Sequence, residues 1–123
     1  MTGVTRGSIL NQMVQYQPPV HETFSALADP TRLGILETLR RDDASISELA
    51  EQAQISLTGT RKHVQVLESV GLVSTRKVGR TRMCTLGTRR LEREAAWIAD
   101  YQRTLEERFD HLEDLLARLK EGR

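Results

Sequence analysis

The sequence predicts a mainly α-helical protein with a small β-hairpin, and three stretches carry that prediction. Residues 47–67, SELAEQAQISLTGTRKHVQVL, have the spacing of two short helices joined by a tight turn. Residues 72–86, LVSTRKVGRTRMCTL, alternate like two strands that meet at Gly79-Arg80. Residues 98–119 repeat apolar side chains at heptad spacing, which is typical of a long helix that packs on a partner.

Length and composition predict one domain that works inside the cell. The chain has 123 residues and no long linker, so we expect a flexible arm at 1–19, one domain at 20–119 and a tail at 120–123. No apolar run approaches the ~20 residues that a membrane-spanning helix needs, so no membrane partner is expected. Cys84 is the single cysteine, which excludes an intramolecular disulfide and favours the cytoplasm.

Two helices are expected ahead of residues 47–67. The first covers 20–28 and places Phe24 on its apolar side. The second covers about 30–40, because Asp29 is a strong N-cap residue and Pro30 fits the first helical position. Helical spacing predicts that the core-facing positions of this second helix are Leu33, Ile35, Leu36 and Leu39.

The third and fourth helices are expected to meet at a turn made by Gln54 and Ile55. A very short strand at 45–46 is expected to pair with the hairpin, and Ser47 is expected to cap the third helix. Ser56 is the expected N-cap of the fourth helix. Within that helix, the residues expected to face the core at i, i+4 and i+7 are Thr60, Val64 and Leu67.

The hairpin is expected to follow Gly71, which stands where a left-handed residue commonly ends a helix. Strands of about 72–77 and 81–86 then flank the turn. Because side chains alternate between the two faces of a strand, the pattern favours a buried set made of Leu72, Cys84 and Leu86.

The last helix is expected at 88–119 and is the predicted dimerisation helix. Its apolar positions step by three and four residues, and Arg108 alone interrupts the seam. A stripe this apolar is expected to pack on a second copy of the chain, which makes a homodimer. The residues predicted at the dimer interface are Phe24, Trp97, Ile98, Tyr101, Leu105, Leu112, Leu115 and Leu119.

Positive charge is concentrated in one part of the chain. Residues 61–90 carry eight Lys and Arg side chains against Glu68 alone, a net charge of +7, although the whole chain carries only +1. This block covers the fourth helix and the hairpin. Because the DNA duplex is a dense line of phosphates, the coincidence of charge and motif predicts double-stranded DNA as a partner.

Side-chain chemistry assigns a role to each exposed position of this block. The predicted DNA-binding residues are Ser56, Thr58, Gly59, Arg61, Lys62, His63 and Gln65 in the fourth helix, and Lys77, Arg80 and Arg82 in the hairpin. Arg61 suits guanine and Gln65 suits adenine in the major groove, while Thr58 suits a thymine methyl group. The Ser56-capped helix N-terminus suits a phosphate.

The remaining positions are predicted to position the protein on the DNA backbone or the minor groove. Lys62 suits a phosphate, as do Lys77 and Arg82, and Arg80 at the tip of the hairpin suits the minor groove. His63 leaves two alternatives of about equal weight. It either contacts a phosphate or packs inside and bonds a backbone group.

Three segments resemble the ArsR family of bacterial winged helix-turn-helix repressors: DPTRLGILETL, ISELAEQAQISLTGTRKHVQVLESVGLV and VGRTRMCTL. The resemblance covers roughly residues 13–119. It implies the order helix, helix, short strand, helix, helix, two strands and a last helix. It also implies a homodimer on a partly palindromic operator, and repression of its own or a neighbouring operon that an unidentified inducer releases.

The chain departs from the family pattern at three positions. Gln54 stands where glycine is frequent, Arg61 where a small hydroxyl residue is usual, and Thr60 where an apolar residue is usual. Base preference is therefore not carried over from relatives.

The pattern of Trp97, Tyr101, Arg108 and Leu112 on the last helix resembles a branch of the family that lacks the metal-binding cysteines. The third helix also has no thiol where metal-sensing relatives carry a Cys-x-Cys pair. We therefore expect no metal and no cofactor. One alternative is a metal-responsive repressor that uses Glu107, His111 and Asp114 of the last helix. Another is a protein-interaction module built on the heptad seam. An enzyme is not expected, because the sequence shows no phosphate-binding glycine loop, HExxH motif or nucleophile elbow.

Overall fold

The structure is a computed structural model that describes residues 18–122. The chain divides into two compact units, one ending at Arg89 and one beginning at Arg90. The first unit holds α1 (Val20–Leu27), α2 (Pro30–Arg41), β1 (Ala44–Ser45), α3 (Ile46–Ala53), α4 (Leu57–Ser69), β2 (Val73–Val78) and β3 (Thr81–Leu86). The second unit holds α5 (Glu92–Glu121). This order confirms the predicted mainly α-helical fold with a β-hairpin.

The start of α2 is confirmed in detail, but one of its predicted core positions is wrong. The Asp29 carboxylate accepts a hydrogen bond from the Arg32 backbone N–H at 3.0 Å, and Pro30 occupies the first turn. Ile35 and Leu39 are buried, whereas Leu33 is 47% exposed. Because the packed stripe follows Ile35 and Leu39 at i and i+4, Leu33 is turned away from it.

The third helix begins two residues earlier than the sequence predicts. Its N-cap is Ser45 rather than Ser47, and Ser45 and Glu48 form a capping box. The Ser45 hydroxyl accepts the Glu48 backbone N–H at 3.0 Å, and the Glu48 carboxylate accepts the Ser45 backbone N–H at 2.8 Å. Two helix N–H groups are thus satisfied reciprocally, which a cap at Ser47 could not achieve.

The turn between α3 and α4 depends on Gln54, which adopts the left-handed conformation at φ 58° and ψ 42°. The backbone N–H of Ile55 donates to the carbonyl of Ala50 at 3.2 Å, and that of Gln54 donates to Glu51 at 3.3 Å. These two bonds form a Schellman motif. Among residues 18–122, Gln54 is the one non-glycine residue at positive φ.

The fourth helix ends in the same motif, and here the left-handed residue is Gly71, as predicted. Gly71 has φ +79°, its N–H donates to Glu68, and the Leu72 N–H donates to Leu67, both at 3.0 Å. The buried face of α4 is also as predicted, since Thr60, Val64 and Leu67 are each at most 2% exposed.

The three strands form one antiparallel sheet in the order β1-β3-β2. The two-residue turn begins with Gly79 at φ 63°, the residue type that a type II′ hairpin needs in its first central position. Ala44 of β1 lies opposite Cys84, so the strand expected at 45–46 is displaced by one residue.

The predicted buried set of the hairpin is wrong in part. Val73 lies opposite Leu86 in the register, so these two side chains share a face with Cys84. Val73 and Cys84 are buried, but Leu86 is 37% exposed. Leu72 is buried because it belongs to the end of α4, not because it alternates with the strand. Leu72 precedes β2, so the alternation of that strand starts at Val73, while Cys84 and Leu86 of β3 share one face as predicted.

The second unit is the 30-residue helix α5, which begins at Glu92 rather than at 88 and extends to Glu121, past the predicted end at 119. Residues 88–91 are not helical. Within the first unit, Arg89 donates to the Thr23 hydroxyl at 3.2 Å and to the Val70 carbonyl at 3.0 Å, which ties Arg89 to α1 and to the end of α4. No helix within residues 18–122 is long and apolar enough to cross a membrane. Of the arm predicted at 1–19, residues 1–17 lie outside the described residues.

Candidate nucleic-acid interface

The outer face of α4 presents the side chains that the sequence predicts for reading bases. Thr58, Arg61 and Gln65 are exposed, and so is Lys62. Burial of the opposite face fixes this orientation, because a helix that buries Thr60, Val64 and Leu67 must turn positions 58, 61 and 65 outward. Arg61 and Gln65 stand one turn apart, which is the spacing needed to meet neighbouring base pairs.

Ser56 accepts two hydrogen bonds that hold the first turn of α4. Its hydroxyl oxygen accepts the Gly59 backbone N–H at 3.0 Å, which confirms the predicted N-cap. Its carbonyl accepts the Thr60 hydroxyl at 2.9 Å. Thr60 is fully buried, and this bond satisfies its hydroxyl. The helix therefore accommodates a threonine where family members usually have an apolar residue.

A cleft of about 520 Å³ separates α4 from the wing, which we define as β2, β3 and the Gly79-Arg80 turn. The predicted DNA-binding residues that line it are Arg61, Gln65, Lys77, Arg80 and Arg82. The fold thus brings Arg61, at the start of the positive block, together with three basic side chains of the wing. The other predicted residues of α4 do not line the cleft; they are Ser56, Thr58, Gly59, Lys62 and His63.

Glu68 also lines this cleft, and sequence reasoning missed its role. Its carboxylate accepts the Thr75 hydroxyl at 2.9 Å, and Arg82 Nη1 donates to the same hydroxyl oxygen at 3.5 Å. The chain of contacts ties the end of α4 to both strands of the wing. Glu68 could have been found in the sequence as the single acidic residue of the positive block.

His63 contacts an arginine side chain instead of the backbone group of the first alternative, and the phosphate contact of the other alternative stays a prediction. Its Nδ1 lies 3.1 Å from Nη1 of Arg32 in α2, rather than against a backbone group. The His63 side chain remains 26% exposed. Sequence reasoning missed Arg32, because nothing local to α2 indicates a contact 31 residues away.

Cys84 lies at the centre of the sheet and is fully buried. Burial is the main cause that raises the pKa of its thiol to about 11; the nearby Glu68 carboxylate acts in the same direction and Arg82 in the opposite one. The thiol is therefore protonated at neutral pH and behaves as a small core residue.

Considered by itself, α5 exposes a continuous apolar face. Exposures range from 36% at Leu105 to 68% at Leu119. The rings of Trp97 and Tyr101 stack with centroids 5.6 Å apart. The other predicted interface residues of this helix are also exposed: Ile98, Leu112 and Leu115. Among the described residues, no three His, Cys, Asp or Glu side chains are grouped so that they could hold a metal ion.

Known proteins that are similar to this chain share its helix-turn-helix. A family model described as a helix-turn-helix domain matches residues 27–76. The transcriptional repressor SmtB homolog of Synechocystis sp. is 36% identical over 80 residues, which cover 58% of this chain and 61% of that protein's length. A solved homodimeric winged helix-turn-helix DNA-binding domain from Mycobacterium bovis is 25% identical, with a TM-score of 0.53, over 86% of this chain and 89% of that one.

The fold and the basic cleft define a winged helix-turn-helix DNA-binding protein. A crystal structure of an ArsR family transcriptional regulator matches with 38% identity and a TM-score of 0.63, over 70% of this chain and 94% of that one. The chain belongs to the ArsR family. Membership makes it a DNA-binding transcriptional regulator rather than an enzyme, and α4 is its recognition helix.

Proposed function

We propose that this protein is a homodimeric repressor that binds a partly palindromic operator of its own or a neighbouring operon, in the cytoplasm. The observation that carries the proposal is the cleft between the recognition helix and the wing, where Arg61, Gln65 and three basic wing residues converge. A surface of this charge and shape fits a groove of the duplex and its flanking phosphates.

Within the proposed complex, the recognition helix reads the major groove and the wing reads the neighbouring backbone. Arg61 pairs with guanine and Gln65 with adenine, and Thr58 meets a thymine methyl group. Lys62 and the Ser56-capped helix end meet phosphates. On the wing, Lys77 and Arg82 follow the phosphates while Arg80 reaches into the minor groove.

The homodimer is supported by the exposed apolar face of α5. Apolar side chains at heptad spacing are costly to leave in water, and a second copy supplies a matching surface. The Mycobacterium bovis relative is homodimeric. We propose that the interface combines this face with Phe24 of α1, and that the two recognition helices lie about one DNA turn apart, ~34 Å.

Repression is supported by the Synechocystis relative, which is a transcriptional repressor. The third helix carries no thiol, because Cys84 is the one cysteine of the chain. We therefore place the protein in a branch without the cysteine metal site.

Selection of bound duplexes from a random DNA pool tests the proposal directly. We expect one motif with two related half-sites, a footprint on it, and an affinity that falls steeply with salt. Sedimentation should show that the free protein is a dimer and that it binds the operator as a dimer. Absence of any selected motif, together with binding to another protein through α5, would instead establish the interaction-module alternative.

A zinc titration of the same complex tests the second alternative. We expect operator affinity to stay constant as zinc is added. A change in affinity that His111→Ala abolishes would establish a metal-responsive repressor that uses the last helix.

A further inference from the structure

Arg32 joins the end of α1 to the middle of the recognition helix. Its Nε donates to the Ala26 carbonyl at 2.7 Å and its Nη2 to the Ser25 carbonyl at 3.1 Å. Its Nη1 lies 3.1 Å from Nδ1 of His63. Both side chains are half-buried. One guanidinium therefore spans two helices, and all three of its nitrogens are engaged.

The chemistry of the Arg32–His63 contact determines the tautomer of the imidazole. A guanidinium has N–H donors and no acceptor, so Nδ1 of His63 must accept through its lone pair. A neutral imidazole that accepts at Nδ1 carries its hydrogen on Nε2. Asp29 Oδ2 is the other charged group near this nitrogen, and at 3.9 Å it is beyond hydrogen-bond distance.

We propose that Arg32 is a positioning residue for DNA binding, which holds His63 in the tautomer that donates its Nε2 hydrogen to a DNA phosphate. The inference rests on the proposed function and adds a residue and a tautomer to it. With 26% of its side chain exposed, His63 can reach a phosphate, whereas Arg32 is committed to the protein. The imidazole then supplies a directed hydrogen bond from Nε2 to the phosphate.

Two substitutions at His63 separate its two ring nitrogens. The amide of His63→Asn reaches the position of Nδ1, so it keeps an acceptor for Arg32 but loses the outer donor. The amide of His63→Gln reaches the position of Nε2 and keeps that donor. We expect His63→Asn to weaken operator binding roughly tenfold and His63→Gln only about two- to threefold. Equal losses in the two variants would overturn the inference.

The tautomer itself can be read in the free protein by long-range ¹H–¹⁵N correlation spectra. We expect the wild-type His63 ring to show a hydrogen on Nε2 and none on Nδ1. Arg32→Gln should produce a mixture of tautomers. Arg40→Gln, on the same helix but exposed and paired with Glu37, should leave the His63 signals unchanged. A wild-type ring protonated at Nδ1 would overturn the inference.

These measurements separate failure of the inference from failure of the proposed function. The spectra need no DNA, so they report on Arg32 and His63 even if Arg32→Gln lowers stability or if no operator is found. Wild-type protein that selects no DNA motif contradicts the proposed function. Wild-type protein that binds its operator, with no difference between His63→Asn and His63→Gln, contradicts the inference alone.

Discussion

Gln54 holds a backbone conformation that residues with a side chain rarely adopt, at φ 58°. An L-residue in this region costs roughly 1–2 kcal/mol, whereas glycine has no such cost but loses more backbone entropy on folding. We therefore expect Gln54→Gly to raise the free energy of unfolding by about 0.5–1 kcal/mol, measured by urea denaturation.

Gln54→Val is the matched comparison, because a β-branched side chain suits positive φ least. It should lower the midpoint of the same transition. A Gln54→Gly protein less stable than wild type would show that the glutamine side chain makes a stabilising contact that outweighs the backbone strain.

Arg61 and Lys62 are neighbours with different predicted roles. Arg61 lines the cleft and is proposed to meet base edges, while Lys62 lies outside the cleft and is proposed to meet a phosphate. Arg61→Ala should cost about 1–3 kcal/mol in operator binding and relax specificity at one base pair in each half-site. Lys62→Ala should weaken all sequences alike and lower the salt slope by about one. Binding to a panel of operator variants checks both, and uniform weakening by Arg61→Ala would exclude base readout.

At the scale of elements, Glu68 opposes the charge of the surface that surrounds it. Its carboxylate lies in the cleft with Arg61, Lys77 and Arg82, and it accepts the Thr75 hydroxyl. A negative charge there repels phosphates of any sequence, so it reduces non-specific binding. Glu68→Gln keeps an acceptor for Thr75 and removes the charge. We expect affinity for random duplex DNA to rise roughly two- to fivefold.

Glu37→Gln is the control for Glu68→Gln. It removes the same charge from an exposed position of α2 outside the cleft, where Glu37 pairs with Arg40. It should leave the affinity for random duplexes unchanged. An equal rise in both variants would show that net charge, rather than the position of Glu68, sets non-specific affinity.

The elements also show where sequence reasoning succeeds and where it stops. Asp29-Pro30, Ser56 and Gly71 marked helix ends correctly, because capping depends on residues within one turn. The sequence predicted Ser47 rather than Ser45 as the N-cap of α3, because both serines lie near the start of that helix. The bond between the Glu48 carboxylate and the Ser45 backbone identifies Ser45 as the cap. In the hairpin, Cys84 was predicted correctly, but Val73 rather than Leu72 shares its face, because one residue of offset inverts the alternation of the first strand.

At the scale of the whole molecule, the proposed function depends on a second copy. Leu112 lies on the exposed seam of α5 at 52% exposure. A charge there should prevent two apolar faces from packing, so we expect Leu112→Glu to sediment as a monomer. Because a palindromic operator is held through two linked half-sites, its affinity should fall by roughly 100-fold or more.

Glu113→Lys is the control on the same helix, next to Leu112 but outside the heptad seam. It should remain a dimer with near wild-type operator affinity. Dimeric Leu112→Glu protein would place the dimer interface elsewhere on the chain.

The sequence by itself determined the helix-turn-helix, the wing and the outward face of the recognition helix. Each of these follows from periodicity and capping within a few residues, and a positive block of net +7 marked the same region for DNA. Only the tertiary structure decided which distant side chains meet: Arg32 with His63, and Glu68 with the wing. The local spacing of apolar residues indicates which face of a helix is buried. The side chains that meet across that face depend on how helices far apart in sequence pack together.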